Sequence, residues 1–403
     1  MLVMWGCVVA CVASACASEV GGEASPPVAK SECVIASVHS DYVSTSISLL
    51  RDDGTLCADR FVDSGSVGLD VVAALSGDVT LPSTAEGTGR LVLVDRYPHA
   101  VLTFVNPDAP QEVEQLSVAT GFPSNPQDVA FLGDGRAYVA RHASNGAAGG
   151  QDAQDAGGDL LILDMEELVI TGRIPLSAED GFDPMPSRMI QLREHVWVAL
   201  SHLSRDFSRA GPGRLIGVDP ARDVVTTVIT LDGLENCGSI EPDLDGQGVW
   251  VACSGLFASG EQGQIAASAL VYLSEDGGTL VEQWRTPTTE MLESPVAFSV
   301  ASVGPQRAVF TVFGSIDAQT PDRLLWADAD AETVNELGIE GSAFELGGVL
   351  YEQGTGVLLL ADANPAEPLI RRFEVGQGQL SELAPVAGSP STGLPPRRLQ
   401  RFR

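Results

Sequence analysis

The sequence predicts an all-β fold, a seven-bladed β-propeller in which a strand from the C-terminus closes blade 1. Three observations lead there. First, the stretch 125–176 reads as four short apolar runs, rich in β-branched and aromatic residues, with turn-formers between them. Runs this short argue for strands rather than helices. Second, weaker copies of this unit recur at a mean step of roughly 54 residues, the mark of a repeat architecture. A four-strand unit cannot bury both of its faces alone, but a ring of such units can. Third, LPPRRLQRF (394–402) resembles MPSRMIQL (185–192), which opens a blade, yet no further strands follow it. Blade 1 lacks that opening strand, so 394–402 is expected to supply it and remove an open edge.

Each blade is read as strands A to D. Blade 1 opens at strand B, with runs at 33–38, 46–50 and 56–62. Blade 2 has runs at 69–75, 90–96, 100–106 and 113–118. In blade 3, Pro126 stands where a missing N–H breaks no ladder bond. Asp134-Gly135 makes a tight hairpin between A and B, because glycine accepts positive φ. Blades 4 to 7 follow at 187–231, 238–284, 296–339 and 342–386. Equivalent strand B positions are Ile35, Val92, Tyr138, Trp197, Trp250, Val309 and Leu358. Of the 403 residues 43 are Gly and 24 Pro, which supplies the turns this many strands require.

The net charge is −31 and the pI near 4.3. Such a chain repels nucleic acid and anionic lipid, so neither is expected as a partner of the body. Residues 1–18 are apolar and end in small residues, which suggests an export signal too short to span a membrane. No Lys or Arg precedes the run, so the start of translation is open. Ala13-Ser14-Ala15-Cys16 resembles a lipobox, with Cys16 as the lipidation site; an ordinary signal cut at the same residues is the alternative. Residues 19–30 would then be a flexible tether and 31–403 the propeller. The expected location is the bacterial cell envelope, and the expected state a monomer.

Four cysteines follow the signal. Cys237 and Cys253 are symmetric about Asp245-Gly246, a predicted hairpin turn, and so within disulfide reach. Cys33 and Cys57 are a less symmetric pair, and buried free thiols are the alternative for all four. No CxxC occurs and no His lies near either pair, which disfavours zinc.

Blades 3 to 5 resemble the YVTN/YncE-like and NHL-like propellers of bacterial exported proteins. The residues that carry this are Pro126-Gln127-Asp128-Val129-Ala130, Asp134-Gly135-Arg136-Ala137-Tyr138-Val139-Ala140, Leu215-Ile216-Gly217-Val218-Asp219 and Gly246-Gln247-Gly248-Val249-Trp250-Val251-Ala252. The resemblance implies the fold and no particular activity.

In a propeller the B–C and D–A connections share one face. Four B–C connections are enlarged: 142–158, 202–213, 254–268 and 314–322. Insertions gathered on one face mark a binding face, with tolerated loop drift as the plain alternative. Arg141, His142, His202 and Arg205 lie on these loops or their flanks, and Arg188 and Arg398 begin strand A of blades 4 and 1. Guanidinium groups hold carboxylate or phosphate bidentately, so these six are the candidate ligand-binding residues. Paired surface charge is the plain alternative. Asp128, at the same mouth, is the one candidate metal ligand, for calcium, or else a turn cap. The sequence holds no HExxH, GxSxG, P-loop or CxxCH. The expected function is a non-catalytic module that binds a protein, a glycan or a small anion through the loop-rich face. The alternative is a metal-dependent hydrolase or lactonase at the channel mouth.

Overall fold

The structure is a computed structural model that describes residues 32–66, 73–147, 154–177, 181–287 and 293–403. The expected signal at 1–18, with Cys16, and the tether at 19–30 lie outside the described residues. The strands form seven antiparallel four-stranded sheets, which are the blades. Blade 1 holds β1 (Ile35–Ser40), β2 (Thr45–Leu50) and β3 (Leu56–Asp63). Its innermost strand is β28 (Pro396–Arg401), which pairs antiparallel with β1, so the C-terminal strand closes the ring as the sequence implies.

Blade 2 comprises β4 (Val79–Thr80), β5 (Leu91–Asp95), β6 (Val101–Asn106) and β7 (Ala109–Ser117); blade 3 comprises β8 (Pro126–Phe131), β9 (Arg136–Ser144), β10 (Gly157–Asp164) and β11 (Val169–Pro175). Blade 4 follows with β12 (Pro186–Leu192), β13 (His195–Leu200), β14 (Pro212–Asp219) and β15 (Val224–Glu235). Blade 5 has β16 (Ser239–Pro242), β17 (Gly248–Ser254), β18 (Ser268–Asp276) and β19 (Thr279–Arg285). Blade 6 has β20 (Val296–Gly304), β21 (Arg307–Val312), β22 (Asp322–Asp328) and β23 (Thr333–Gly341); blade 7 has β24 (Leu346–Glu352), β25 (Val357–Asp362), β26 (Leu369–Val375) and β27 (Leu380–Val386).

The core lies between blades. Seven apolar clusters each combine side chains of two neighbouring sheets, one for every junction of the ring. Strand B is buried on both faces, which explains why β17 reads as a continuous apolar run. The outer strand β15 instead alternates exposed and half-buried residues from Val224 to Thr230. The seven aligned strand B residues are all buried, from Ile35 in blade 1 to Leu358 in blade 7.

Buried carboxylates clip the blades together. Asp128 accepts from Ser83 N (2.7 Å), Ser83 Oγ (2.6 Å), Val129 N (2.8 Å) and Met189 N (2.7 Å), and so joins blades 2, 3 and 4. Asp243 accepts from Ser302 Oγ (2.7 Å) and Gln306 N (2.8 Å), tying blade 5 to blade 6. Asp322 accepts from Phe344 N (2.9 Å) and Leu346 N (2.9 Å), tying blade 6 to blade 7. Two disulfides add covalent ties: Cys237–Cys253, and also Cys33–Cys57, where the sequence symmetry was poor.

The structure departs from the sequence reading in three places. The inner strand of blade 2 is the two-residue β4 and not 69–75: residues 73–75 are not strand, and 69–72 lie outside the described residues. Residues 73–75 run as loop, with Leu75 in the cluster between blades 1 and 2. Blade 7 begins at Leu346 rather than 342, because Asp322 draws the backbone of 344–346 into a turn. The B–C connection of blade 5 carries a short helix, α1 (Gly260–Ala266).

Candidate functional site: the channel mouth

The inner strands surround a channel, and on the face of the B–C and D–A connections it opens into a cavity of about 420 Å³. Its polar floor comes from inner strands and their flanks: Gln127 on β8, Ser187 and Arg188 on β12, Ser239 on β16 and Arg398 on β28. Arg96 enters from the connection after β5, and His142 from the end of β9. Its apolar wall is Leu203, Phe207, Leu256, Phe257 and Phe298.

Three guanidinium groups meet here. Arg96 donates to Asp78 Oδ1 (2.9 Å) and Gln127 Oε1 (3.0 Å). Arg188 crosses from blade 4 to blade 2, donating to Leu81 O (2.8 Å) and Thr80 Oγ1 (3.0 Å), with Asp128 at 3.7 Å. Burial, and then the charge of Arg398, lower the Arg188 pKa to about 9, so it stays cationic at neutral pH. Burial also lowers the pKa of Arg398, whose Nε has no hydrogen-bond partner among the described residues. A buried donor without an acceptor costs free energy that a bound anion would recover.

Two further groups set the local charge. Glu241 lies on β16 two residues beyond Ser239, on the same face of the strand. Burial pushes its carboxyl up to about 7, against the pull of Arg398 and Arg188. The His142 ring stacks on Phe207 with centroids 6.5 Å apart; burial and then Arg96 lower its pKa to about 4, so it is neutral. The mouth therefore sets three guanidinium groups against the carboxyl groups of Asp78, Asp128 and Glu241, with Arg398 Nε the donor left without a partner among the described residues.

Of the six candidate ligand residues, the fold brings Arg188, Arg398 and His142 into this cavity. Arg141 does not reach it: it is fully buried, and its guanidinium donates to Asp159 at 2.7 and 2.8 Å. His202 is buried beside the cavity with Nδ1 2.9 Å from Pro212 O and its ring against the edge of Phe182, a packing role. Arg205 lies outside, exposed and 3.1 Å from Asp183. Asp128 is no cation ligand either. Its two oxygens already accept four hydrogen bonds, so the carboxylate does not fit a calcium ion. Among the described residues no group of three or more His, Cys, Asp or Glu is placed to hold a metal.

Sequence reasoning missed Arg96, Gln127, Glu241 and the aromatic wall. Glu241 had one visible signal, a carboxylate within the short inner strand Ser239–Pro242. Phe207 and Phe257 stand in loops and Phe298 on β20, in three different blades, and only the tertiary fold assembles them.

No family model matches the chain, and no curated protein matches it in sequence. Solved structures share its fold. The periplasmic gluconolactonase PpgL of Pseudomonas aeruginosa matches with a TM-score of 0.59 at 12% identity, over 91% of this chain and 98% of that one. A protein of Bacteroides uniformis, described provisionally as a 6-phosphogluconolactonase, matches with a TM-score of 0.56 at 11% identity, over 92% and 99%. A protein of Lactobacillus plantarum gives a TM-score of 0.56 at 14% identity, over 92% and 99%. At these identities the likeness establishes the fold, a seven-bladed propeller, and the mouth must be read from its own residues.

Proposed function

We propose that this protein is an exported propeller that binds an anionic ligand, a carboxylate or phosphate, in the channel mouth. The carrying observation is the convergence of Arg96, Arg188 and Arg398 on one cavity, with the buried Arg398 Nε lacking a partner among the described residues. Guanidinium groups in such a low-dielectric recess bind oxyanions strongly and with defined geometry. Two disulfides fit folding in an oxidising compartment. The finer reading keeps the chain among YVTN-like envelope propellers, anchored through acyl chains on Cys16. Metabolic labelling with palmitate, compared with Cys16→Ser, tests the anchor.

Isothermal titration with gluconate, 6-phosphogluconate, citrate and inorganic phosphate tests the site. At least one is expected to bind the wild type, with about tenfold or greater weakening in Arg398→Gln. Absence of millimolar binding, or binding that Arg398→Gln leaves unchanged, would overturn the reading.

A second reading is favoured by Glu241, a carboxyl near neutrality beside two arginines, and by the gluconolactonases that share the fold. Here the Glu241 carboxylate takes a proton from water, whose oxygen attacks a lactone carbonyl while the arginines hold the oxyanion. The ring C–O bond breaks, and the leaving alkoxide takes the proton back. Glucono-δ-lactone hydrolysis lost in Glu241→Gln would support this reading, and equal rates in the two proteins would sink it.

A further inference from the structure

All exposed aromatic side chains among the described residues lie on the face that carries the mouth. Tyr42 and Tyr97 are on the B–C connections of blades 1 and 2; Phe207 and Phe257 are on those of blades 4 and 5. Phe298 is on β20, and Phe344 precedes β24. Core packing does not account for them, since each remains between 41 and 67% exposed. Phe257, Phe298, Phe344 and the half-buried Phe313 form one group, with Phe313 at 5.6, 5.9 and 5.2 Å from Phe257, Phe298 and Phe344. A second cavity of about 360 Å³ opens against Phe257, Phe313 and Phe344, lined also by Ile316 and Pro295. Phe257 lines both this cavity and the arginine mouth, so the two are adjoining compartments of one groove.

The backbone supplies an independent observation. Tyr42, Phe207 and Phe344 have φ of 66°, 57° and 65°, the left-handed region that bulky residues rarely occupy. Each position would be easier for glycine or asparagine. Asp322 accounts for the turn at Phe344 but not for an aromatic side chain on it, and the same holds at Tyr42 and Phe207. Exposed apolar patches next to a polar recess mark interaction sites, and aromatic side chains supply much of the energy at such sites.

We propose that the groove docks the C-terminal end of a partner polypeptide, its terminal carboxylate in the arginine mouth and its last apolar side chains on the phenylalanine group. The proposal rests on the anion-binding reading and names its ligand. Charge complementarity fixes the direction, since the cations lie at the mouth. The far compartment carries the exposed carboxylates Glu261 and Asp317, which suit an amine or a basic side chain further from the terminus. In this compartment Gln264 donates to Ser254 O (3.0 Å) and Ser315 Oγ accepts from Ala318 N (3.1 Å), so Glu261 and Asp317 are its main polar groups toward a ligand.

The test displays random octapeptides in two formats, one with a free C-terminus and one with that end fused, and selects both on the full folded protein. Enrichment is expected only in the free format, with Leu, Ile, Val or Phe among the last three residues. A selected peptide made synthetically should lose at least tenfold in affinity on C-terminal amidation, in Arg398→Gln and in Phe257→Ala. Phe257 is half exposed, so its variant should keep the wild-type unfolding midpoint. Equal enrichment in both formats would overturn the proposal. So would an absence of enrichment in a protein that still binds one of the small anions, which leaves the anion site standing. Dodecanoate binding that depends on Phe257 and Arg398, in a protein that selects no peptide, would reassign the groove to a lipid carboxylate.

Discussion

Replacing Asp128 by asparagine tests whether inter-blade carboxylates hold this ring together. The side chain is isosteric, so no cavity forms and the consequence is confined to hydrogen bonding. Oδ1 accepts from Ser83 N and Val129 N, and Oδ2 from Ser83 Oγ and Met189 N. Asparagine has one oxygen; with it at the Oδ1 position, Ser83 Oγ can turn to accept from the NH₂ group, and Met189 N is left facing that group without an acceptor. A buried donor left unsatisfied costs about 1–3 kcal/mol, which gives a loss of about 2 kcal/mol. Ser83→Ala should cost about 1 kcal/mol, since it removes one donor and leaves no acceptor stranded. Guanidinium unfolding followed through the buried Trp197 and Trp250 reads both. A loss below about 1 kcal/mol in Asp128→Asn would refute the clip argument. So would a wild-type midpoint that drops on adding a chelator by as much as the mutation lowers it, because the carboxylate would then be holding a cation.

Further perturbations follow from the same contacts. Cys253→Ser, with Cys237→Ser to avoid a lone thiol, opens a cross-link spanning 16 residues and should cost about 3 kcal/mol in the unfolding midpoint. Truncation before β28 removes the strand paired with β1 and the Arg401–Glu352 ion pair. It should give an insoluble chain or one without a cooperative transition, as judged by gel filtration and calorimetry. Glu241 titrates near 7 in the fold, above the ordinary carboxyl value of 4.5, so the folded state binds the extra proton between those limits. Its contribution to stability is therefore full below about pH 4.5 and lost as pH rises through about 7, and Glu241→Gln should remove that part of the pH profile. The charge of Glu241 also competes with a bound anion for Arg188 and Arg398. Affinity for gluconate, whose own charge is constant there, should therefore rise as pH falls from 8 to 6 in the wild type and stay flat in Glu241→Gln.

The sequence by itself determined the architecture. Short apolar runs of period two, turn chemistry such as Asp134-Gly135 and a stray copy of an opening strand at the C-terminus are local facts, and a propeller is a sum of local units. Even the pairing of Cys237 with Cys253 was legible from near-symmetry about one hairpin, although the ladder that sets Ser239 opposite Ala252 leaves the two cysteines one residue out of register. The local reading failed where a distant group decided the outcome. Blade 7 starts late because Asp322 of blade 6 captures its backbone, and the inner strand of blade 2 has only two residues. The site was legible only in part for the same reason. Arg188 and Arg398 could be placed at the mouth because inner strands open there. Arg141 looked equivalent and is not, because its neighbour in the ladder, Asp159, takes its charge. Arg96, Glu241 and the phenylalanine group belong to different blades, far apart along the chain. Only closure of the ring brings them to one groove, and whether a guanidinium is spent on a carboxylate or left for a ligand depends on what the neighbouring blade puts beside it.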